Sequence, residues 1–248
     1  MPLAHAAGGR ERERDMSTAV IGIGAIGGAI ARHLVSGGER VLVAARDEHR
    51  AAELAQSLGE LASAAPVSDA ISQADAVVLA VWFEVAENLV PEYAELLDAK
   101  VVIDTTNPLA RDESGVPLQR EGDYVRNLPE GVSAGSIIAG LVPAGAHYVK
   151  AFGTLVAPDL AAGANQAPER VALLYASDDE KAASVAERLI GAARFDPVKV
   201  GGVDDAGRIE LPGGDLFQYG SAFQGQAPTA AQAQAAIGSR AGAARGAA

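Results

Sequence analysis

The sequence predicts an α/β fold in which parallel strands alternate with helices. An apolar run at residues 18–23 leads into a glycine-rich turn, and a helical pattern follows at residues 25–36. A second apolar run, residues 40–45, completes a βαβ unit of about 30 residues. Residues 76–81 form a continuous apolar run, which is typical of a parallel strand buried on both faces. Strand, helix and strand therefore recur in the order that a parallel sheet requires.

The glycine-rich turn has the spacing of a dinucleotide-binding fingerprint. Gly22 permits the tight turn after the strand, Gly24 lets the backbone approach a pyrophosphate, and Gly27 lets the helix pack close to the sheet. The N–H groups and dipole at the start of that helix attract phosphate. Glycine is common here, at 28 of 248 residues, so the pattern gains its weight from the surrounding βαβ unit. We predict an N-terminal NAD(P)-binding Rossmann domain whose turn also contributes Ala25 and Ile26.

The end of the second strand indicates which nicotinamide cofactor is bound. Ala45 and Arg46 stand where a carboxylate would hydrogen-bond the ribose of NAD, and Arg50 follows one helical turn later. A guanidinium offers bidentate donors to the additional phosphate of NADP, so we predict NADP(H). The alternative is that both arginines are solvated and that Asp47 contacts the ribose. Asp47 is also suited to be the N-cap of the next helix.

Two further strand ends are predicted to face the cofactor, because ligands of open α/β sheets lie beyond the carboxyl ends of the strands. Ala80 and Val81 end the third strand. Trp82 or Phe83 is expected to cover the site, or else these two aromatic side chains are core or subunit contacts. Asn107, whose backbone is restricted by Pro108, either bonds the nicotinamide side or forms an Asx turn.

Composition limits the possible functions. The net charge of −12 disfavours nucleic-acid binding, and the absence of cysteine excludes thiol chemistry and disulfides. The four histidines form no ligand-spaced pair, so no metal is predicted. No apolar run reaches the roughly 20 residues that span a bilayer. We expect a cytoplasmic protein without a membrane or nucleic-acid partner.

The chain divides into four predicted parts. Residues 1–16 are expected to be a disordered N-terminal extension, with Met16 as an alternative start, and residues 17–146 the NADP-binding Rossmann domain. Residues 147–221 are expected to form a small C-terminal α/β domain. Residues 222–248, rich in Ala, Gly and Gln, are expected to be a flexible tail, or else a helix on a partner subunit. Within the body, we predict a short strand near Pro66 and a single helix over residues 84–97.

With these features in order, the chain resembles the coenzyme F420-dependent NADP oxidoreductase family. The resemblance covers about residues 18–217 and includes Asn107-Pro108, Lys150-Ala151-Phe152 and residues 203–211. It implies a homodimer in which a hydride passes directly between NADP(H) and the deazaflavin coenzyme F420. One departure is Gly153, where the family commonly has Asn after Lys-Ala-Phe.

The resemblance also implies an acceptor side of the site. That side would be bordered by Ala139, Val142 and Pro143, and less certainly by His147, Lys150 and Thr154. The alternative for Lys150 is a solvated lysine at the end of a strand, and the alternative for His147 is an ordinary surface histidine. Direct hydride transfer requires no protein nucleophile, and no catalytic residue is predicted. Two other functions remain open: an NADPH-dependent reductase of another small acceptor, and a non-catalytic NADP(H) sensor, which would bind both redox states tightly without turnover.

Overall fold

The structure, a computed structural model, describes residues 16–163 and 170–245. Eight strands form its central sheet: β1 Ser17–Ile21, β2 Arg40–Ala44, β3 Ala62–Ala64, β4 Ala76–Leu79, β5 Val101–Asp104, β8 His147–Lys150, β9 Ala172–Ala176 and β10 Asp196–Gly201. Their order across the sheet is β10-β9-β8-β5-β4-β1-β2-β3. The strands from β3 to β8 in this order run parallel, and β9 and β10 are parallel to each other. A separate two-stranded ribbon pairs β6 Gln119–Arg120 with β7 Asp123–Tyr124.

Helices cover both faces of the sheet, so the central strands β4 and β5 are wholly buried. Each face has its own apolar cluster. The helices are α1 Ala25–Ser36, α2 Glu48–Leu58, α3 Val67–Gln73, α4 Phe83–Glu92, α5 Ala94–Leu97, α6 Ala134–Leu141, α7 Ala157–Ala162, α8 Glu180–Ala192 and α9 Ala230–Arg245, with a 3₁₀ helix at Val203–Ile209. The predicted α/β Rossmann-type fold is confirmed.

Polar side chains fix where three of these helices begin. Asp47, Ser133 and Asp179 are the N-caps of α2, α6 and α8, and each accepts a hydrogen bond from the backbone N–H three residues later. The role of Asp47 as an N-cap is the one expected from the sequence. The first turn of α1, in contrast, has no side-chain cap, because its N-cap residue is Gly24.

Two local predictions are wrong. The strand predicted near Pro66 lies earlier, at β3, because Pro66 has no N–H for a strand ladder and instead precedes α3. The helix predicted over residues 84–97 is two helices, α4 and α5, which meet at Tyr93. Pro91 lies in the last turn of α4 and has no N–H to donate there, and the helix ends at the next residue, Glu92.

The structure corrects the predicted boundary at residue 147. Strand β8 pairs in parallel with β5, and Lys150 at its end pairs in antiparallel fashion with Ala176 of β9. Residues 147–221 therefore extend the Rossmann sheet and do not form a sheet of their own. The physical reason is that β5 needs a ladder partner on its second edge, which β8 supplies with buried residues such as Val149.

The segment predicted to be a flexible tail, residues 222–248, packs against the sheet where the structure describes it. Ala172 donates its N–H to the carbonyl oxygen of Pro228 at 2.7 Å, and Phe223 is buried. Helix α9 packs on β10 and buries Ala233 in a third apolar cluster. Small alanine side chains allow this close packing, although they give no apolar periodicity to read. The N-terminal extension, residues 1–15, and residues 246–248 lie outside the described part.

We expect Ala233→Glu to lower the free energy of unfolding by at least about 2 kcal/mol, because it overpacks a filled site and buries a charge. The matched control is Ala231→Glu, which makes the same change on the exposed face of α9. Chemical denaturation of both variants measures the difference. Equal stability of the two would show that α9 does not pack on the sheet in solution.

Candidate functional site

A cleft of about 700 Å³ runs along the carboxyl ends of β1, β2, β4 and β5. This is the edge at which open α/β sheets bind ligands. Of the predicted cofactor residues, ten line it: Gly22, Gly24, Ala25, Ile26, Ala45, Arg46, Arg50, Ala80, Val81 and Asn107. Gly27 and Pro108 are not in the lining. The structure thus brings the predicted cofactor residues together in one cavity.

Glycine is required at the three fingerprint positions for different structural reasons. At Gly22, with φ +96°, an added Cβ would lie 2.4 Å from the carbonyl oxygen of Ala80, and at Gly27 it would lie 1.9 Å from that of Gly22. At Gly24 a Cβ would have no protein atom within 4 Å. The first and third glycines are therefore required by the packing of the protein itself. Gly24 instead leaves open space at the uncapped start of α1, where a phosphate would fit.

The arginines stand at the β2 end of the cleft. Arg46 and Arg50 are exposed and line it, and neither forms an ion pair within the described residues. Asp47 also lines the cleft, but one of its carboxylate oxygens accepts the backbone N–H of Arg50 at 3.0 Å. The two arginines therefore favour a bound phosphate at this end of the cleft. They do not favour the alternative in which Asp47 contacts the ribose, because that carboxylate already serves as an N-cap.

Trp82 forms part of the cleft wall, whereas Phe83 is 2% exposed and belongs to the core. The guanidinium of Arg111 lies 4.7 Å from the centre of the Trp82 ring. Glu84 accepts a hydrogen bond from Arg111 at 3.2 Å. Arg111, which is not in the lining, is thus held beside Trp82 by a carboxylate and an aromatic face.

Asn107 lines the cleft, but its amide also ties two neighbouring segments together. Its Nδ2 donates to the carbonyl oxygen of Gly153 at 3.0 Å, and its Oδ1 accepts the N–H of Leu211 at 2.8 Å. An added Cβ at Gly153 would lie 2.8 Å from the carbonyl oxygen of Thr105. The glycine that departs from the family pattern therefore fits closely against the segment that carries Asn107.

Lys150 lies beneath the cleft and does not line it. It is 1% exposed, and its Nζ donates to Asp104 at 3.1 Å and lies 3.6 Å from Glu210. It also donates to the carbonyl oxygen of Thr106. Both carboxylates are completely buried. The surface position that the sequence left open for Lys150 is therefore wrong. Its donors are directed to these buried partners, and it is not among the residues that line the cleft.

Each carboxylate of this buried charge network has further donors. Glu210 accepts the hydroxyl of Ser133 at 2.8 Å and the N–H groups of Ala134 and Gly135, so it is held at the N-terminus of α6. Arg126 approaches its other face at 4.0 Å. Asp104 accepts the hydroxyl of Tyr148 at 2.8 Å. Two cations therefore balance two carboxylates, as a buried ionic cluster requires.

Tyr148 acts as a fixed donor in this network. Its burial, and then the negative charge of Asp104, raise the pKa of Tyr148 well above its ordinary value. The phenol consequently keeps its proton at physiological pH and continues to donate to Asp104.

The other residues predicted for the acceptor side do not line the cleft. Ala139 and Val142 pack against the apolar cluster beneath α6, and Pro143 follows them in the turn. Thr154 is 2% exposed and lies outside the lining. His147 is at the amino end of β8, opposite the cleft. The structure does not bring these residues together at the cleft.

His147 forms an ion-pairing contact with Asp179 at 2.7 Å. Burial of Asp179 favours its neutral form, but hydrogen bonds from the Ala182 N–H and from His147 outweigh this and lower the pKa of Asp179. His147 therefore helps to hold the N-cap of α8.

Cleft residues beyond the predicted set come from segments distant in sequence. They are Thr105, Thr106, Leu109, Pro117, Tyr124, the 155–158 segment, Leu211 and Phe217, together with residues at the β4 end. Thr105 and Thr106 immediately precede Asn107, so the strand-end argument could have found them. Leu109, Pro117 and Tyr124 belong to the segment between β5 and α6, residues 155–158 follow β8, and Leu211 and Phe217 follow the 3₁₀ helix. No local sequence pattern marks them.

Residues 17–108 match the family model of the coenzyme F420-dependent NADP oxidoreductases. This match confirms the predicted resemblance over the part of the chain that carries the glycine turn, Arg46 and Asn107. With it, the predicted enzyme class, an NADP-dependent oxidoreductase, is confirmed at the level of the family. No curated protein matches the chain.

Solved structures show the same fold. A protein of unassigned function, SMa0349 from Sinorhizobium meliloti, is 27% identical with a TM-score of 0.68, over 84% of this chain and 96% of that one. A proposed F420-dependent NADP reductase from Arthrobacter sp. FB24 is 24% identical with a TM-score of 0.63, over 77% and 87%. An imine reductase from Pseudomonas sp. is 21% identical with a TM-score of 0.53, over 75% of this chain but 56% of its own.

Within residues 16–163 and 170–245, no group of three or more His, Asp or Glu side chains is placed to hold a metal ion. In the same part of the chain, no helix is long and apolar enough to cross a membrane.

We expect Gly24→Val to leave the free energy of unfolding within about 1 kcal/mol of the wild type while it abolishes cofactor binding, because its side chain meets no protein atom but occupies ligand space. Gly27→Val, in contrast, should destabilise the fold, since its Cβ would overlap the backbone of Gly22. Thermal unfolding and NADPH titration separate the two effects. A folded Gly24→Val variant with normal NADPH affinity would contradict the assignment of the turn.

We expect Lys150→Met to lower the free energy of unfolding by about 3–5 kcal/mol, because it leaves two buried carboxylates with a single cation. Adding Glu210→Gln should restore part of the loss by removing one of those charges. Denaturation of both single variants and the double variant gives their coupling. Strictly additive losses would show that Lys150 and Glu210 do not form one network.

Proposed function

We propose that the protein transfers a hydride between NADP(H), bound along the cleft, and the deazaflavin coenzyme F420. The observation that supports this most directly is a continuous cleft with a glycine turn, an uncapped helix start and two arginines at one end. NADPH, when bound, supplies the hydride. The family match over residues 17–108 supports a deazaflavin as the partner.

The residues of the cleft fit an NADP(H) molecule whose 2′-phosphate lies at the end of β2 and whose nicotinamide lies near the end of β5. Gly24 and the first turn of α1 accept the pyrophosphate, and Arg46 and Arg50 bind the 2′-phosphate. Three strand spacings separate β2 from β5, about 14 Å, so the nicotinamide end falls near the Thr105–Thr106–Asn107 segment. The protein's task in this reaction is to align two rings and to exclude water.

The far part of the cleft supports a planar, apolar acceptor ring. Its walls include Leu109, Leu155, Val156, Leu211 and Phe217. A deazaflavin ring system could pack between such side chains next to the nicotinamide. The homodimer that the resemblance implies, and a cytoplasmic location, belong to this proposal as well.

A second candidate is an NADPH-dependent reductase of a small uncharged acceptor such as an imine or carbonyl. One observation favours it: among the described residues that line the cleft, the cations are Arg46 and Arg50, both at the β2 end. Coenzyme F420 carries an acidic tail, and an uncharged acceptor would need no further cation.

The deciding experiment mixes the purified protein with NADPH and oxidised coenzyme F420 and follows the loss of the deazaflavin visible band. Bleaching that requires NADPH supports the proposal. NADPH oxidation with a cyclic imine or carbonyl, without bleaching of F420, favours the second candidate. Tight NADPH binding without turnover of either acceptor would point to a cofactor sensor and overturn both.

We expect Arg46→Asp to weaken NADPH binding about 10- to 100-fold and to shift preference towards NADH, because it removes a charge-assisted contact and repels the phosphate. Arg40→Asp is the matched control: it makes the same charge change on an exposed residue at the opposite end of β2. Titration with both cofactors measures the effect. An unchanged NADPH to NADH ratio in Arg46→Asp would contradict the assignment of this arginine.

A further inference from the structure

Thr106 carries a polar group that the fold leaves without a partner. It is 2% exposed and lines the cleft, and its hydroxyl has no hydrogen-bonding partner among the described residues. Buried hydroxyl groups are nearly always hydrogen-bonded, because an unmet one lowers stability. The neighbouring hydroxyl of Thr105 follows the rule by donating to the carbonyl oxygen of Leu79 at 3.0 Å.

The backbone of Thr106 is, in contrast, fixed on both sides by the buried charge network. Its N–H donates to Asp104 at 2.7 Å, and its carbonyl oxygen accepts from Lys150. Both partners are themselves buried and bonded to further groups. The charge network therefore holds this one cleft residue rigidly while leaving its side-chain hydroxyl unused.

Rotation about the Cα–Cβ bond of threonine exchanges the positions of the hydroxyl and the methyl group. The hydroxyl can therefore turn towards the cleft without movement of the fixed backbone. Thr106 follows the end of β5, about 14 Å across the sheet from Arg46 at the end of β2. That separation places it at the nicotinamide end of a cofactor whose 2′-phosphate lies on Arg46.

We propose that the Thr106 hydroxyl donates a hydrogen bond to the carboxamide of the nicotinamide ring, with Asp104 and Lys150 as positioning residues that hold its backbone. This hydrogen bond orients the ring in the cleft and satisfies the hydroxyl. The inference rests on NADP(H) binding as in the proposed function, but on neither of the two acceptors considered there.

The test compares two ligands of the same protein: NADPH, and adenosine 2′,5′-bisphosphate, which has the 2′-phosphate but no nicotinamide. We expect Thr106→Val, which keeps the shape and removes the hydroxyl, to raise the Kd of NADPH about three- to tenfold. The Kd of the bisphosphate should stay unchanged. Thr106→Ser, which restores a hydroxyl, should recover most of the NADPH affinity.

Thr154→Val is the matched control. Thr154 is equally buried, its hydroxyl is also without a partner among the described residues, and it lies outside the cleft lining. Its replacement should leave both affinities unchanged. Wild-type NADPH affinity in Thr106→Val, or an equal loss for both ligands, would overturn the inference. Failure of the wild type to bind either ligand would instead overturn the proposed function.

Discussion

The buried ionic cluster around Lys150 is the interaction on which the rest of this structure depends. A lysine with a 1% exposed side chain contacts two carboxylates, Asp104 and Glu210, that are completely shielded from water. Charges are tolerated in such a place only when they are paired and hydrogen-bonded on every side. Here the remaining oxygens are satisfied by Tyr148, Ser133 and the N-terminus of α6. The cluster therefore joins two neighbouring inner strands, β5 and β8, to a helix and to the loop that follows the 3₁₀ helix.

Its position explains how one cleft can be assembled from distant parts of the chain. Asp104 directly precedes Thr105, Thr106 and Asn107, and Glu210 directly precedes Leu211, all of which line the cleft. Asn107 then connects the two segments by bonding Leu211 and Gly153. Fixing the charges thus fixes the cleft floor at the end away from Arg46. A rigid floor suits a reaction in which two rings must be aligned, because misplacement by even about 1 Å lowers such rates greatly.

The dinucleotide half of the site could be predicted from the sequence because its determinants are local. The glycines at 22, 24 and 27, and Arg46 at a strand end, follow from spacing within one βαβ unit, and the N-caps Asp47 and Ser133 follow from their neighbours. The far half depends on pairings between distant residues. Lys150 appears in the sequence as an ordinary strand-end lysine, and only its partners, 46 and 60 residues away, show that it is buried. The alanine-rich α9 gave no periodic signal, since alanine is compatible with both packed and solvated helices.

The central claim is that NADP(H) crosses the cleft from Arg46 to the end of β5. A crystal structure of the protein with NADP⁺ tests it most directly. The account predicts the 2′-phosphate on Arg46, the pyrophosphate at Gly24 and the first turn of α1, and the nicotinamide carboxamide within hydrogen-bonding distance of Thr106. A cofactor bound with its phosphate away from Arg46, or with its nicotinamide outside the cleft, would contradict the account.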